Sequence, residues 1–544
     1  MSCGAVGVAV PTCRLPRHGV KRCAGLFASP QTRNVVHAHY GQDIGHPEQL
    51  TRSTMNPKPS LKRNAIANFL GSALPMLVSL VTVPLYLQHI GAARYGMLAI
   101  VWMLQGYFGY FDLGLSAATS NLIARLSDRS PAERESVLWT ALVLNAGFGI
   151  LGGLILFAVG RILLMQFHVA PEINAEVLVA LPWIACSVPL ATISGVFAGA
   201  LTGREQFASL NAVQFFGTLT FQVAPLAAAI LLHPTLQYVI AAAILGSAAS
   251  LLVMIVVVFR MFPLRLAAGP RREFVKPLFS YGAWVTVTNL ASPLLETADR
   301  LLIGGMLGPQ AVAWYQVPFN LAVRVRILPG VLSRTLFPRL SALGTQDATE
   351  LATRSVRGLA AVMTPMIVFG IFLMQPFLNV WTGHAFAANA MSVGEAILAG
   401  VWINSLAAIP YSHLQAIGRP DLVARFHALE LLPFVGLLWW ALHSFGLMGA
   451  ALAWSARCAV DALLLFWAAR FGRQLTLDLL APAALVLVAF AATALFPWPS
   501  ATGIAAWVIL TGASLIWALR AEPEWSARAW RALAAMREHR WRRA

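Results

Sequence analysis

Four arginines stand in segments otherwise too apolar to hold charge: Arg300, Arg324, Arg326 and Arg457. A guanidinium stays protonated when desolvated and grips phosphate or carboxylate oxygens through parallel N–H bonds, so such residues are candidates for holding an anion inside a bilayer. An ionisable side chain at mid-membrane costs about 2.5–3.5 kcal/mol on insertion scales, so an unneutralised one is a functional-site candidate by default. Asp461 lies one helical turn from Arg457, which reads as a structural ion pair. Glu296 and Asp299 adjoin Arg300, where a local pair and a functional site are equally open. The stretch 311–333 differs, because it contains Arg324 near its centre, Arg326 two residues on, and no acid. Two residues of an α-helix span about 200°, so only one of this pair faces a given cavity. Pairing of both with acids of other helices (Glu296, Asp299 or Asp112) is the competing account. Asp112, Glu296, Asp299 and Glu430 are the candidates for ion coupling, with Asp112 read first as an arginine partner.

These side chains need helices to position them, and the composition says which kind. The chain has 544 residues, 58% hydrophobic but only 11% charged, with mean hydropathy +0.69. A soluble fold of this length carries roughly 25% charged residues. Apolar runs near the ~20-residue bilayer requirement recur from residue 64 to 519. They predict an all-α polytopic membrane protein with fourteen spans, including 64–87, 96–118, 280–304 and 311–333. The net charge of +17 is distributed as topology rather than as a nucleic-acid surface. With a cytoplasmic N-terminus, the inward segments after residue 55 hold 27 Lys and Arg and the outward ones hold two, Arg94 and Arg161. Both termini are therefore expected in the cytoplasm.

The chain also repeats. Ile90-Gly91 matches Leu307-Gly308 at an offset of 217, and Gly203-Arg204 matches Gly418-Arg419 at 215. Two six-helix lobes follow, 61–260 and 278–470, related by an axis along the membrane normal because six is even. A helix pair, 477–519, and a basic amphipathic tail, 520–544, complete the reading. Residues 1–54 lack periodicity and are read as a disordered extension, with Met55 as the expected initiator. The first and seventh helices place polar residues at equivalent positions. Asn68, Ser72 and Ser79 stand in one; Asn289, Ser292, Glu296 and Asp299 stand in the other. Both faces are expected to line a central cavity, small-residue packing being the alternative. Aromatics crowd the second helix (Trp102, Tyr107, Phe108, Tyr110, Phe111); packing is preferred there over stacking on sugar rings.

Enzyme readings are weak. No outward loop exceeds about 20 residues, and the best outward carboxylates, Glu172, Glu176 and Glu395, are scattered. The chain has no P-loop, no His-Glu-x-x-His and no Gly-x-Ser-x-Gly.

Segment 64–128, with Pro84-Leu85-Tyr86, His89-Ile90-Gly91, Tyr95-Gly96 and Phe111-Asp112-Leu113-Gly114-Leu115, resembles the N-terminal signature of the Wzx-type polysaccharide flippases of the MOP superfamily. Asp299-Arg300-Leu301, Leu336-Phe337-Pro338-Arg339 and Gly418-Arg419-Pro420 resemble the second half of that family. The resemblance implies translocation of an undecaprenyl-pyrophosphate-linked oligosaccharide across the bacterial inner membrane, by alternating access around a cavity lined by helices 1, 2, 7 and 8. It implies an ion gradient, H+ or Na+, rather than a cofactor. It also implies membrane lipids as surroundings, and a polysaccharide polymerase and chain-length regulator as partners. On that reading Arg324 is the main pyrophosphate contact, with Arg300 nearer the outer mouth, Arg334 and Arg339 at the inner mouth, and Arg326 as the further candidate. A cation-coupled multidrug exporter and a lipid II flippase are the alternatives within the superfamily. A membrane glycosyltransferase or polymerase is the disfavoured alternative outside it.

Overall fold

A computed structural model describes residues 61–108, 112–126, 130–166, 169–261, 269–280 and 298–522; for 61–76, 107–108, 163 and 165–166 it describes the backbone alone. The expected extension 1–54, the start at Met55 and the tail beyond residue 522 fall outside the described residues, as do Asn289, Ser292 and Glu296. Every extended regular element among the described residues is helical. The helices are α1 (Leu61–Phe108), α2 (Leu115–Arg125), α3 (Pro131–Gln166), α4 (Pro171–Gly203), α5 (Phe207–Leu231), α6 (Leu236–Met261), α7 (298–307), α8 (Pro309–Val323), α9 (Ile327–Ala342), α10 (Thr345–Thr382), α11 (His384–Ala416), α12 (Pro420–Ala468), α13 (Arg473–Asp478), α14 (Leu480–Leu495) and α15 (Ala501–Ala521), and residues 275–280 are helical as well. Nine of the described helices are long and apolar enough to cross a membrane.

Two helices reverse direction within their length. A straight helix would put residues nine apart about 13 Å from each other along its axis. The rings of Tyr86 and Tyr95 in α1 instead meet at 6.1 Å, because Gly91 breaks the helix at φ 77° and ψ 165°. Gly308 adopts nearly the same conformation, φ 84° and ψ 171°, immediately before α8. Both values lie in the left-handed half of the map, which suits glycine and penalises a Cβ. The offset of 217 read from the sequence thus recurs as a backbone feature. Helices α4 and α11 are each 33 residues long and begin 213 residues apart. The second reversal is at Gly446, inside α12.

Two expected helices are interrupted. The span expected at 96–118 ends at Phe108, and α2 starts separately at Leu115. Asp112 explains the restart: its carboxylate accepts from the Ser116 backbone N–H at 3.1 Å and from the Ser116 hydroxyl at 2.9 Å. It acts as a capping acid on the first turn of α2. The span expected at 311–333 runs as α8, a 3-10 turn at Arg324–Arg326, and then α9. Pro329 supplies the cause, since its ring lacks an N–H and clashes with the carbonyl four residues earlier, at Val325. The distortion falls on the two arginines.

Packing joins α3 to α4, α4 to α6 and α5 to α6 on the N-terminal side, and α10 to α11 and α11 to α12 on the C-terminal side. Helix α1 lies against α5 and α8, and α14 and α15 pack on α10. Gly96 permits the α1–α8 approach: a Cβ there would run into the Pro309 carbonyl. Large apolar side chains such as Val380, Leu432 and Leu231 stay exposed, which suits surfaces facing lipid rather than water.

Candidate functional site

Arg324 projects into a cavity of about 200 Å3 where α1, α5, α8 and α10 meet. Five aromatic rings wall it: Tyr86, Tyr95, Trp102, Phe221 and Trp381. Trp102 is central to the cluster, with its ring centroid 5.5 Å from Phe221 and 6.2 Å from Tyr86. Ser79, Thr82, Gln222 and Asn320 add polar groups. Arg324 makes no hydrogen bond or ion pair among the described residues. Among the described residues, the lining contains no carboxylate. A cationic fork beside aromatic faces and amides suits an oxyanion attached to a sugar, since rings stack and amides bond hydroxyls.

Proline chemistry holds one wall shut. Pro84 has no N–H, so the Leu80 carbonyl lacks its helical donor. The indole N–H of Trp381, from α10, donates to that carbonyl at 2.6 Å. This bond ties the first half of the sequence to the second at the cavity wall. Tyr86 Oη donates to the Gln222 carbonyl at 2.7 Å, fixing α1 on α5.

Arg300 is placed differently from the expectation of an outer-mouth contact. It is 5% exposed, Asp299 0%, and the two pair at 3.0 Å. Tyr315 Oη donates to the other Asp299 oxygen at 2.7 Å. The Arg300 Nε–H donates to Gln316 Oε1, whose amide nitrogen donates to Asn320 Oδ1 at 2.7 Å. The guanidinium also lies 4.1 Å above the Phe319 ring. Arg300 and Asp299 therefore brace α7 on α8, and Asn320 carries the chain of bonds to the cavity wall.

Arg326, on the same 3-10 turn as Arg324, lines a second cavity of about 360 Å3 with His427, Arg457 and Asp461. The two arginines do diverge, as helical geometry requires. Arg457 and Asp461 form no ion pair within 4 Å, contrary to expectation; Asp461 faces His427 at 3.6 Å, and Arg457 lies 5.5 Å from the Phe434 ring centroid. An arginine preceding an acid by four residues is the weaker order for a helical pair, which explains why the partners on the other arm of α12 win. Glu430 is 6% exposed, and neither carboxylate oxygen is hydrogen-bonded. Arg334 and Arg339 are exposed on α9.

Among the remaining candidates, Ser79 and Trp102 line the Arg324 cavity. Asn68 and Ser72 lie in α1 with only their backbone described, and Tyr107, Phe108, Tyr110 and Phe111 have no described side chain. Asp112 has a capping role and no arginine partner among the described residues. Glu176 is engaged bidentately by Arg94, at 2.6 Å at its closest, and accepts from the Leu236 N–H at 2.9 Å, clasping α1, α4 and α6. Arg94 is held above its ordinary pKa chiefly by that hydrogen bond. Glu395 accepts from Thr493 Oγ1 at 2.8 Å, joining α11 to α14.

Residues 61–343 match the family model described as polysaccharide biosynthesis protein. A Shigella flexneri protein named "Putative O-antigen transporter" is 28% identical over 411 residues, covering 75% of this chain and 97% of its own. The lipid II flippase MurJ, in an inward closed conformation, superposes with a TM-score of 0.62 at 15% identity, over 85% of this chain and 99% of that one. An inward-facing MATE family multidrug resistance transporter of the MOP superfamily gives 0.61 at 15% identity, over 75% and 98%. These two likenesses concern the fold. The family model spans more than half of the sequence, and the chain belongs to the polysaccharide biosynthesis protein family.

Proposed function

We propose that this chain flips an undecaprenyl-pyrophosphate-linked oligosaccharide, the repeat unit of an O-antigen, capsule or exopolysaccharide, from the inner to the outer leaflet of the bacterial inner membrane. The carrying observation is Arg324: a guanidinium without a described protein partner, in a cavity shared by the two halves of the sequence and walled by aromatic rings. The pyrophosphate of such a cargo must cross an apolar barrier with its charge intact, and a bidentate guanidinium offsets that cost. The Trp102 cluster and the Gln222 and Asn320 amides would hold the first sugar, while the polyprenyl chain stays in lipid.

The reading has fourteen spans in two six-helix lobes plus a terminal pair, with α1 and α12 each counted twice at their reversals. Both termini face the cytoplasm, as the arginine distribution requires. The Trp381–Leu80 bond then holds the two halves together along one wall of the cavity, and alternating access includes breaking that contact. An ion gradient supplies the energy, with Glu430 and Asp461 as the groups to examine. Arg334 and Arg339 stand where a cargo would enter from the cytoplasm. A polysaccharide polymerase and chain-length regulator would take the flipped product.

A cation-coupled drug exporter needs acids in the cavity, and the described lining has arginine and none. The test is binding of an undecaprenyl-pyrophosphate glycan to the purified full chain. One charge-assisted bidentate contact contributes about 1.5–3 kcal/mol, so Arg324→Gln should weaken binding roughly 10- to 150-fold. Equal binding by wild type and variant would remove the proposed contact, and no binding by wild type would remove the cargo.

A further inference from the structure

The pocket between α10, the short α13 and the end of α15 has a different chemistry from the central cavity. It encloses about 410 Å3 and is lined by Arg357, Asp478, Trp517 and Arg520 over a floor that includes Ala360 and Leu479. Arg357 Nη2 pairs with Asp478 Oδ2 at 2.8 Å, and Gln474 donates to the other oxygen at 2.9 Å. The carboxylate is thus fully engaged by the protein. The cationic groups are not: the Arg357 Nε–H is buried without a hydrogen-bond acceptor, and Arg520 is exposed with no described partner. Among the described residues, the side chains of the pocket therefore offer donors to an anion and no unengaged carboxylate to repel one.

Its flanks decide what kind of anion. Leu477 is 47% exposed, Ile516 54% and Leu519 49%. A soluble phosphate gains nothing from such surfaces, whereas the acyl chains of a phospholipid would cover them. Trp517 lines the pocket together with the arginines, and an indole is the side chain enriched at the headgroup level of a bilayer. The Arg357 and Arg520 ends of α10 and α15 belong to the positively charged, cytoplasmic side of the proposed topology, where anionic lipids create an attractive surface potential.

We propose that this pocket is a binding site for the phosphate of an anionic glycerophospholipid of the cytoplasmic leaflet, held by Arg520 and the Arg357 Nε–H with its acyl chains along α13 and α15. The site lies apart from the Arg324 cavity, and only its assignment to a leaflet rests on the orientation given above.

The experiment uses the full chain in neutral detergent micelles doped with dioleoylphosphatidylglycerol or dioleoylphosphatidylcholine, with retained lipid counted by native mass spectrometry. Wild type should retain phosphatidylglycerol in preference to phosphatidylcholine, and 10 mM inorganic phosphate should not displace it (~10 mM exceeds the weak affinity of an isolated surface site). Arg520→Gln, which leaves the Arg357–Asp478 pair in place, should weaken retention about five-fold. Arg425→Gln, on an exposed residue at the start of α12, should leave it unchanged. Size exclusion confirms that each variant is folded. Equal retention of the two lipids, indifference to Arg520→Gln, or displacement by inorganic phosphate would each overturn the lipid site. None of these readouts involves cargo transport, so the result stands separately from the flippase reading.

Discussion

Trp381→Phe should loosen one wall of the central cavity by an amount the structure allows to be worked out. The indole N–H is the donor to Leu80 O, and Pro84 removes the donor that would otherwise replace it. In the variant the Leu80 carbonyl is unpaired whenever α10 and α1 touch, and is hydrated when they separate. Leaving a buried acceptor unpaired costs about 1–3 kcal/mol; this one is half-buried, so about 1–2 kcal/mol applies. The ratio of separated to closed populations should then rise roughly five- to thirty-fold. His89 in α1 and His384 at the start of α11 are exposed, so cysteines placed there, with the five native cysteines replaced by serine, carry spin labels that report the α1–α10 separation. Double electron–electron resonance in nanodiscs reads the two populations. Pro84→Ala supplies the internal control, because an N–H at position 84 gives Leu80 O a helical partner, and Trp381→Phe should then have little effect. Identical distance distributions for wild type and Trp381→Phe, or an undiminished effect in the Pro84→Ala background, would refute the reasoning.

Other consequences concern the frame around the cavity. Asp299→Ala would leave Arg300 charged and buried without its carboxylate and remove the acceptor of Tyr315; breaking such a pair costs about 3–5 kcal/mol, read as a large fall in detergent melting temperature. Gly96→Ala should lower folded yield, because the new Cβ meets the Pro309 backbone rather than a movable side chain, and overpacking of this kind costs about 1–3 kcal/mol or more. Glu176→Gln should weaken the clasp on Arg94 and Leu236 by about 1–2 kcal/mol, less than for a buried pair because Arg94 is partly exposed. Melting curves of the purified variants check all three.

Much of this architecture is legible in the sequence where physics is local. The divergence of Arg324 and Arg326 follows from helical geometry alone, and the Gly91–Gly308 repeat appears in both sequence and backbone angles. The capping role of Asp112 was not legible, because it stands two residues before the cap position Gly114 and the apolar run through 96–118 concealed the break. Contacts between distant segments were not legible. Trp381 stands some 300 residues from Leu80, and nothing local to either marks the other as a partner. Phe221 and Gln222 lie in an apolar run whose periodicity says only that it is a helix. The Arg457–Asp461 pair failed for a related reason: spacing proposed a partner one turn away, and the reversal of α12 at Gly446 brought His427 and Phe434 from the other arm.

The central claim is that Arg324 carries the charged part of a glycan lipid across the membrane. It is tested most directly in proteoliposomes loaded with a fluorescent undecaprenyl-pyrophosphate oligosaccharide, scoring its exposure on the far leaflet for wild type, Arg324→Lys and Arg324→Ala at matched folded levels. The account predicts transport by wild type, partial transport with lysine, which keeps the charge but loses the fork, and loss with alanine. Undiminished transport by Arg324→Ala would contradict the site, and wild-type protein that expels cationic dyes while moving no glycan lipid would contradict the function.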